Sequence, residues 1–158
     1  MVDAEIYKNW PYRTRYLRPE CWAVISRLLK VHQITSVLEF GSGISTLLFN
    51  NRGIDVVSYE TDPSYLKVIK SYNLANVEFR LWDNTVIEME GGRYFGLALV
   101  DGTLPRTFQL HWAKMFARYI VIDDYTDPES NVGLLPLVSN CQLIAGYNTK
   151  LKVFRRKN

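Results

Sequence analysis

The sequence predicts a single α/β domain built on a doubly wound, mostly parallel sheet of seven strands that ends in an antiparallel hairpin. Three observations support this fold class. Short apolar runs alternate with helical segments from residue 36 to residue 122, as in units joined by right-handed crossovers. The runs Leu97–Val100 and Tyr119–Ile122 are apolar throughout, which is typical of parallel strands covered on both faces. The last two runs are separated by only Asn148–Lys150, too few residues for a helical crossover, so they predict a hairpin.

The elements follow in order from Pro19, a residue suited to the first turn of a helix. Helices are predicted at 19–30, 45–50, 63–72, 106–117 and 127–139, the last interrupted near Pro136. Strands are predicted at 36–40, 55–60, 77–82, 94–100, 119–122, 141–147 and 151–155. Residues 83–93 can hold no more than a turn or two of helix. Residues 1–18 are polar and aromatic and predict an N-terminal arm or lid on a domain of residues 19–158.

Composition and charge exclude several classes of protein. With 47% hydrophobic residues, the 158-residue chain can bury a core without disulfides or a structural metal. A net charge of +3 is far from that of a dedicated nucleic-acid binder, and we interpret the basic run Arg155–Lys157 as a solvated tail. Cys21 and Cys141 lie outside any zinc motif and should be free thiols. Without a visible signal peptide or a membrane-length apolar stretch, the sequence predicts a cytoplasmic protein with no membrane partner.

A glycine loop, Gly41-Ser42-Gly43, follows the first predicted strand and precedes a helix. Glycines there allow a tight turn and a close approach to a ligand, and the helix offers free N–H groups to an anion. The loop therefore suits either a dinucleotide or an adenosyl cofactor. The dinucleotide pattern needs a glycine at position 46, where this chain has Thr46, so the dehydrogenase hypothesis is weakened.

The stretch from Leu38 to Thr46 is similar to the acidic-x-Gly-x-Gly motif of class I S-adenosylmethionine-dependent methyltransferases, a Rossmann-like superfamily. It departs at Ser45, where that family often has a third glycine, and the resemblance covers the chain from about Pro19 to its end. The family sheet also ends in an antiparallel hairpin. The resemblance implies that S-adenosylmethionine is the cofactor and that its loop contacts come from Glu39, Gly41, Ser42, Gly43 and Ser45.

Further candidate cofactor residues lie at the ends of the second, third and fourth predicted strands: Glu60, Thr61, Trp82, Asp83 and Asp101. Glu60 follows Gly41 by about 20 residues, where a carboxylate can accept both ribose hydroxyl hydrogens. The alternative is a solvated capping carboxylate, because Thr61-Asp62-Pro63 resembles a helix start. In the resembled family the third strand is followed by an acid that accepts from the adenine amino group, which implies the same role for Asp83. Trp82 would stack on adenine or pack in the core.

Carboxylates also end the fourth and fifth predicted strands, at Asp101, Asp123 and Asp124. Converging carboxylates raise one another's pKa, so they predict either a bound cation or separate orientations. The catechol-type O-methyltransferases hold Mg²⁺ with an Asp and an Asp-Asn pair at these strand ends. That similarity implies Asp101, Asp123 and Asp124 as metal ligands and Asp101 and Asp124 as catalytic residues. A metal-free site and a turn role for Asp124 stay open.

The function predicted is O-methylation of a small-molecule acceptor. A nucleic-acid or protein methyltransferase is the first alternative. The fourth strand continues as Asp101-Gly102-Thr103-Leu104 rather than the Asp/Asn-Pro-Pro-Tyr/Phe motif of amino-methylating nucleic-acid enzymes, and no Pro-Cys nucleophile exists. A cofactor-binding module without catalysis, dependent on a partner, is the second. His111 and Lys114 should face solvent or a helix edge. The acceptor and the oligomeric state are not indicated by the sequence.

Overall fold

The computed structural model describes residues 3–12, 16–82, 92–102, 106–124, 138, 140–147 and 150–157. Its strands are β1 (Ser36–Phe40), β2 (Asp55–Glu60), β3 (Val77–Leu81), β4 (Phe95–Val100), β5 (Ala117–Ile122), β6 (Cys141–Tyr147) and β7 (Leu151–Arg156). The described helices are α1 (Asp3–Asn9), α2 (Pro19–Val31), α3 (Ile44–Asn51), α4 (Pro63–Lys70) and α5 (Arg106–Phe116).

The seven strands form one sheet in the order β3-β2-β1-β4-β5-β7-β6. Strands β1 to β5 pair in parallel, whereas β7 is antiparallel to both β5 and β6. The reversal of strand order between β1 and β4 is the switch point beside which doubly wound folds bind their ligands. The predicted fold class is confirmed.

Apolar side chains cover both faces of the sheet because alternate residues of each strand point to opposite sides. Val37 of β1 packs in a cluster with residues of α1, α2, α3 and α4, whereas its neighbour Leu38 packs in a second cluster with Leu110 and Ala113 of α5. The sheet is therefore sandwiched between two helical layers, and its strand ends are the surfaces left for a ligand.

The N-terminal segment packs on the first of these layers. Its apolar residues Ile6, Trp10 and Leu17 are buried in the same cluster as α2. Asp3 pairs with Arg52 at 2.5 Å and accepts a hydrogen bond from the Trp22 indole. The domain division at residue 18 and the lid role stay predictions.

Two expectations change at the carboxyl end of the chain. Strand β7 extends to Arg156, so two of the three residues of the basic run lie in the sheet and the interpretation of that run as a tail is wrong. Strand β5 begins at Ala117, directly after α5, two residues earlier than predicted. Apart from the buried Val138, the helix predicted within 127–139 lies outside the described residues, as does the short segment 83–91. Both cysteines are free thiols, as expected. Among the described helices, none is long and apolar enough to cross a membrane.

Candidate active site

Backbone hydrogen bonds align the predicted site residues along the carboxyl edge of the parallel strands. The amide of Trp82 donates to the carbonyl of Glu60, the last residue of β2. The amide of Gly41 donates to the carbonyl of Tyr59, also in β2. On the other side of β1, the Asp101 amide donates to Phe40 at 3.0 Å, and the Asp123 amide donates to Val100 at 3.1 Å. The strand ladder thus continues into the loops, so the glycine loop and the acidic residues belong to one edge.

Gly41 is required where the loops after β1 and β4 meet. Its φ is +95°, a conformation that side-chain-bearing residues rarely adopt. A Cβ atom there would lie 2.8 Å from the backbone of Gly102 and 2.9 Å from the carbonyl carbon of Asp101. This close approach brings Asp101 beside the cofactor loop.

A buried hydrogen-bond network supports the loop from below. Oε2 of Glu39 accepts from the hydroxyl groups of Thr46 and Ser58, both at 2.6 Å. The Thr46 hydroxyl in turn accepts from the Gly43 amide at 2.9 Å, and the Ser58 hydroxyl lies 2.8 Å from that of Ser42. In the sequence, Thr46 is notable only because it replaces the third glycine of the dinucleotide pattern. In the structure, its hydroxyl group is part of the network that holds the loop.

Glu39 itself is completely buried. Burial raises the pKa of its carboxyl group to about 7, while the hydroxyl groups of Ser45, Ser58 and Thr46 oppose the shift. Its second oxygen, Oε1, has no hydrogen-bond partner among the described residues. The site thus contains a buried polar atom that a ligand group or a water could satisfy.

Glu60 joins the loop to the turn that follows β2. Its Oε2 accepts from the Ser42 amide at 3.1 Å, and its Oε1 accepts from the amides of Thr61 and Asp62 at 2.7 and 2.9 Å. The N-cap of α4 is Asp62, whose carboxylate accepts from the amides of Ser64 and Tyr65. Glu60 is therefore not the helix cap of the alternative hypothesis, and it is buried rather than solvated.

The remaining predicted cofactor residues differ in position. Ser45 is buried in the first turn of α3, whereas Thr61 is half-buried beside Glu60. Trp82 is buried, and its ring centroid lies 6.0 Å from that of Phe40 in the core cluster on the α5 side of the sheet. Asp83 lies outside the described residues.

Asp101, Asp123 and Asp124 converge, with one carboxylate oxygen of each lying within 4.8 Å of the others. Asp124 adopts a positive φ of 46°, which suits its place in a turn. Burial and the neighbouring Asp123 raise the pKa of Asp101 well above its ordinary value. Burial and Asp124 raise the pKa of Asp123 to about 6, and the facing Cys21 thiol lowers it in part. The mutual shift expected from the sequence is present.

Arg106, the first residue of α5, is a site residue that the sequence analysis missed. Its buried guanidinium donates to the carbonyl oxygens of Gly102 at 3.1 Å and Asp123 at 2.6 Å. It also lies 3.7 Å from Oδ1 of Asp101. Arg106 therefore ties the ends of β4 and β5 together and lowers the pKa of Asp101 against the larger effect of burial. A signal existed, because position 106 lies on the same helical stripe as the buried residues Gln109, Leu110 and Ala113.

Tyr65 is a second residue that was missed. Its hydroxyl oxygen lies 3.6 Å from the position that a Cβ atom of Gly43 would take. Its ring contacts Tyr12 of the N-terminal segment at a centroid distance of 5.2 Å. Burial and the carboxylate of Glu60 raise the pKa of Tyr65, so its hydroxyl stays a donor at neutral pH. His111 is exposed and Lys114 half-buried, at positions consistent with the sequence expectation.

Solved structures share this architecture. No family model and no curated protein matches the chain. A candidate O-methyltransferase from Klebsiella pneumoniae superposes with a TM-score of 0.73 at 14% identity, over 99% of this chain and 86% of that one. An S-adenosylhomocysteine-bound methyltransferase from Podospora anserina gives 0.71 at 14% identity over 99% and 86%. A tomaymycin-synthesis O-methyltransferase from Streptomyces achromogenes, in complex with S-adenosylmethionine, gives 0.64 at 15% identity over 98% and 88%. The chain therefore has the same fold as these methyltransferases.

Proposed function

We propose that this chain is an S-adenosylmethionine-dependent methyltransferase that methylates an oxygen of a small-molecule acceptor. The observation that supports it most is the placement of the glycine loop and the acid cluster on the adjacent strands β1, β4 and β5. Two proteins with this fold bind S-adenosylhomocysteine or S-adenosylmethionine, and two are described as O-methyltransferases.

The residues of the loop fit an adenosyl cofactor. Gly41 lets the loop pass against the backbone of Gly102, and at Gly43 a Cβ atom would meet, among the described residues, only the Tyr65 hydroxyl at 3.6 Å. Oε1 of Glu39 is buried without a partner among the described residues, and Oε2 of Glu60 accepts from the Ser42 amide. We assign the cofactor contacts to Glu39, Gly41, Ser42, Gly43, Ser45, Glu60, Thr61, Trp82, Asp83 and Asp101, with the Tyr65 hydroxyl as an additional donor. Bound S-adenosylmethionine would supply a methyl group on a sulfonium sulfur.

The chain itself would align the acceptor with the methyl group and remove one proton from the acceptor hydroxyl. Transfer from a sulfonium needs an in-line approach of the acceptor, which a fixed loop and a fixed acceptor site provide. An acceptor hydroxyl must also lose a proton, and burial raises the pKa of Asp101 well above its ordinary value, which makes this carboxylate a stronger base. Asp101 and Asp124 are the proposed catalytic residues, and Asp123 shares the cluster's charge with them.

The three carboxylates also fit a hard divalent cation such as Mg²⁺, because all their donor atoms are oxygens. Asp101, Asp123 and Asp124 would hold that cation, which when bound would polarise the acceptor oxygen. Arg106 already provides one positive charge to the same carboxylates. A chelator distinguishes the two arrangements: loss of turnover that Mg²⁺ restores supports the metal, and chelator-resistant turnover eliminates it.

Calorimetry with S-adenosylhomocysteine tests the cofactor assignment. We expect binding in the micromolar range, about −8 kcal/mol, and no comparable binding of NADH. Tight binding of NADH without binding of S-adenosylhomocysteine would overturn the proposal.

Labelled S-adenosylmethionine tests the acceptor class. We expect label to be transferred to a hydroxyl group in a panel of small molecules. Transfer only to oligonucleotides or proteins would favour the macromolecular alternative. Cofactor binding without transfer to any acceptor, with or without Mg²⁺, would favour the non-catalytic module.

A further inference from the structure

A group of cationic side chains lies at the other end of β5, away from the candidate active site. Arg118 is the second residue of β5, and Arg155 of β7 is paired with the adjacent residue Tyr119. Asp123 follows Arg118 by five positions, so the two lie roughly 16 Å apart along the strand. The two sites are therefore separate.

These exposed side chains surround an open, solvent-accessible pocket of about 300 Å³, which we call the cationic cavity; it is lined by Arg118, Arg155, Arg156 and Lys157. Its volume is at the lower end of the range of small-molecule pockets. Among the described residues, no acidic side chain lines it and none forms an ion pair with its four cations. The cavity thus concentrates positive charge that the described part of the chain does not neutralise.

The arginines of the cationic cavity are held in place by neutral partners. Arg118 lies over the ring of Tyr119, and Arg155 donates to the side-chain oxygen of Gln142 at 3.2 Å. Arg156 donates to the last carbonyl oxygens of α5, at Lys114 and Met115. Because these contacts order the side chains without removing their charge, an anion would bind with a reduced entropic cost.

We propose that the cationic cavity binds a small ligand that bears a di- or triphosphate group. Guanidinium groups match phosphate oxygens in pairs, and four cations suit a ligand with several negative charges better than a single carboxylate. The volume of about 300 Å³ limits the ligand to a small one. The binding site is independent of methyl transfer.

Calorimetry on the full chain at physiological salt, with inorganic tripolyphosphate as the probe, tests this site. We expect one-to-one binding, and about ten-fold or greater weakening in both Arg118→Gln and Arg155→Gln. Both positions are exposed, and unchanged melting temperatures would show that the variants fold. The control is Lys70→Gln, which also removes one positive charge from an exposed position. Lys70 lies on α4, which packs against β2 and β3, so this variant should change the affinity by less than about two-fold.

Three results would overturn the proposal. The first is no binding of tripolyphosphate at millimolar concentration. The second is equal weakening in Lys70→Gln and Arg118→Gln, which would show attraction to net charge alone. The third is tighter binding of a single-stranded oligonucleotide with the same dependence on Arg118, which would make the cavity part of a nucleic-acid surface.

Discussion

At the scale of single residues, Glu39 fixes the conformation of the glycine loop from a completely buried position. Its Oε2 holds the Thr46 hydroxyl, which receives the Gly43 amide, and the Ser58 hydroxyl, which lies against Ser42. One carboxyl oxygen of Glu39 thus fixes both Gly43 and Ser42 of the loop. The conformation of the loop should therefore depend on the charge and shape of this buried group.

Glu39→Gln tests this dependence through pH. Because the pKa of Glu39 is about 7 in the folded protein and 4.5 for an ordinary glutamate, the folded protein holds a proton between these pH values that the unfolded chain has lost. The contribution of this carboxyl group to the free energy of unfolding is complete below about pH 4.5, and roughly 3 kcal/mol of it is lost as the pH rises to 7. Urea unfolding from pH 4.5 to 8 should show a weaker decline in Glu39→Gln than in the natural protein. Glu20→Gln, at an exposed position, is the control; a decline equally steep in all three proteins would contradict the prediction.

Glu60→Ala should change both stability and cofactor binding. Its carboxylate accepts from three backbone amides, so removal should destabilise the unliganded protein by about 1–3 kcal/mol. Loss of the ribose acceptor should also weaken S-adenosylhomocysteine binding by about ten-fold to a hundred-fold in calorimetry. The control Asp62→Ala removes the α4 cap, with a similar loss of about 1 kcal/mol, but should leave affinity within about two-fold. Equal affinity losses in the two variants would assign Glu60 a purely structural role.

At the scale of elements, the start of α5 organises the ends of β4 and β5. Arg106 reaches back from the first helical turn to the carbonyls of Gly102 and Asp123. These carbonyls follow the last strand residues and lie beyond the regular ladder, so a side chain must supply the donors. A long, rigid donor with several N–H groups suits this task better than an ammonium group.

Arg106→Lys should therefore destabilise the fold although it conserves charge. Loss of the paired hydrogen bonds at a buried position should lower the free energy of unfolding by about 1–3 kcal/mol in urea titration. The same exchange at exposed Arg27 should change it by less than about 0.5 kcal/mol. If Arg106→Lys were as stable as Arg27→Lys, Arg106 would not be the connection between the two strand ends.

The elements themselves could be predicted closely, and the residue roles less so. Strand β2 begins and ends where the sequence pattern places it, because five of its six residues are buried and they face both sides of the sheet. The role of Thr46 could not be predicted, since a hydroxyl that bonds across a loop leaves no periodic signal. The site role of Arg106 was also missed, because arginine in a first helical turn is ordinarily exposed. The pairing of Arg155 with β5 depends on hairpin register, which three connecting residues do not determine.

At the scale of the whole molecule, the active-site crevice is a consequence of strand order. Because β1 lies between β2 and β4, the loop after β1 is flanked by Glu60 on one side and Asp101 on the other. Crossovers on opposite faces separate the helices there and leave room for a ligand. The loops after β1 and β4 approach so closely that no side chain fits between the backbones of Gly41 and Gly102. The proposed cofactor and catalytic residues would act together only if this contact is preserved.

Gly41→Ala tests that contact, and Gly53→Ala is a matched control. Both glycines have positive φ, +95° and +67°, so each alanine should cost about 1–2 kcal/mol in backbone strain. Only at Gly41 would the new Cβ meet backbone, 2.8 Å from Gly102, whereas at Gly53 nothing lies within 4 Å. Gly41→Ala should therefore lose more free energy of unfolding and at least ten-fold in S-adenosylhomocysteine affinity, roughly 1.4 kcal/mol. Gly53→Ala should bind normally despite its strain. If the two variants were equally stable and bound equally well, the loops after β1 and β4 could separate without harm, and the joint site at this edge of the sheet would lose its structural basis.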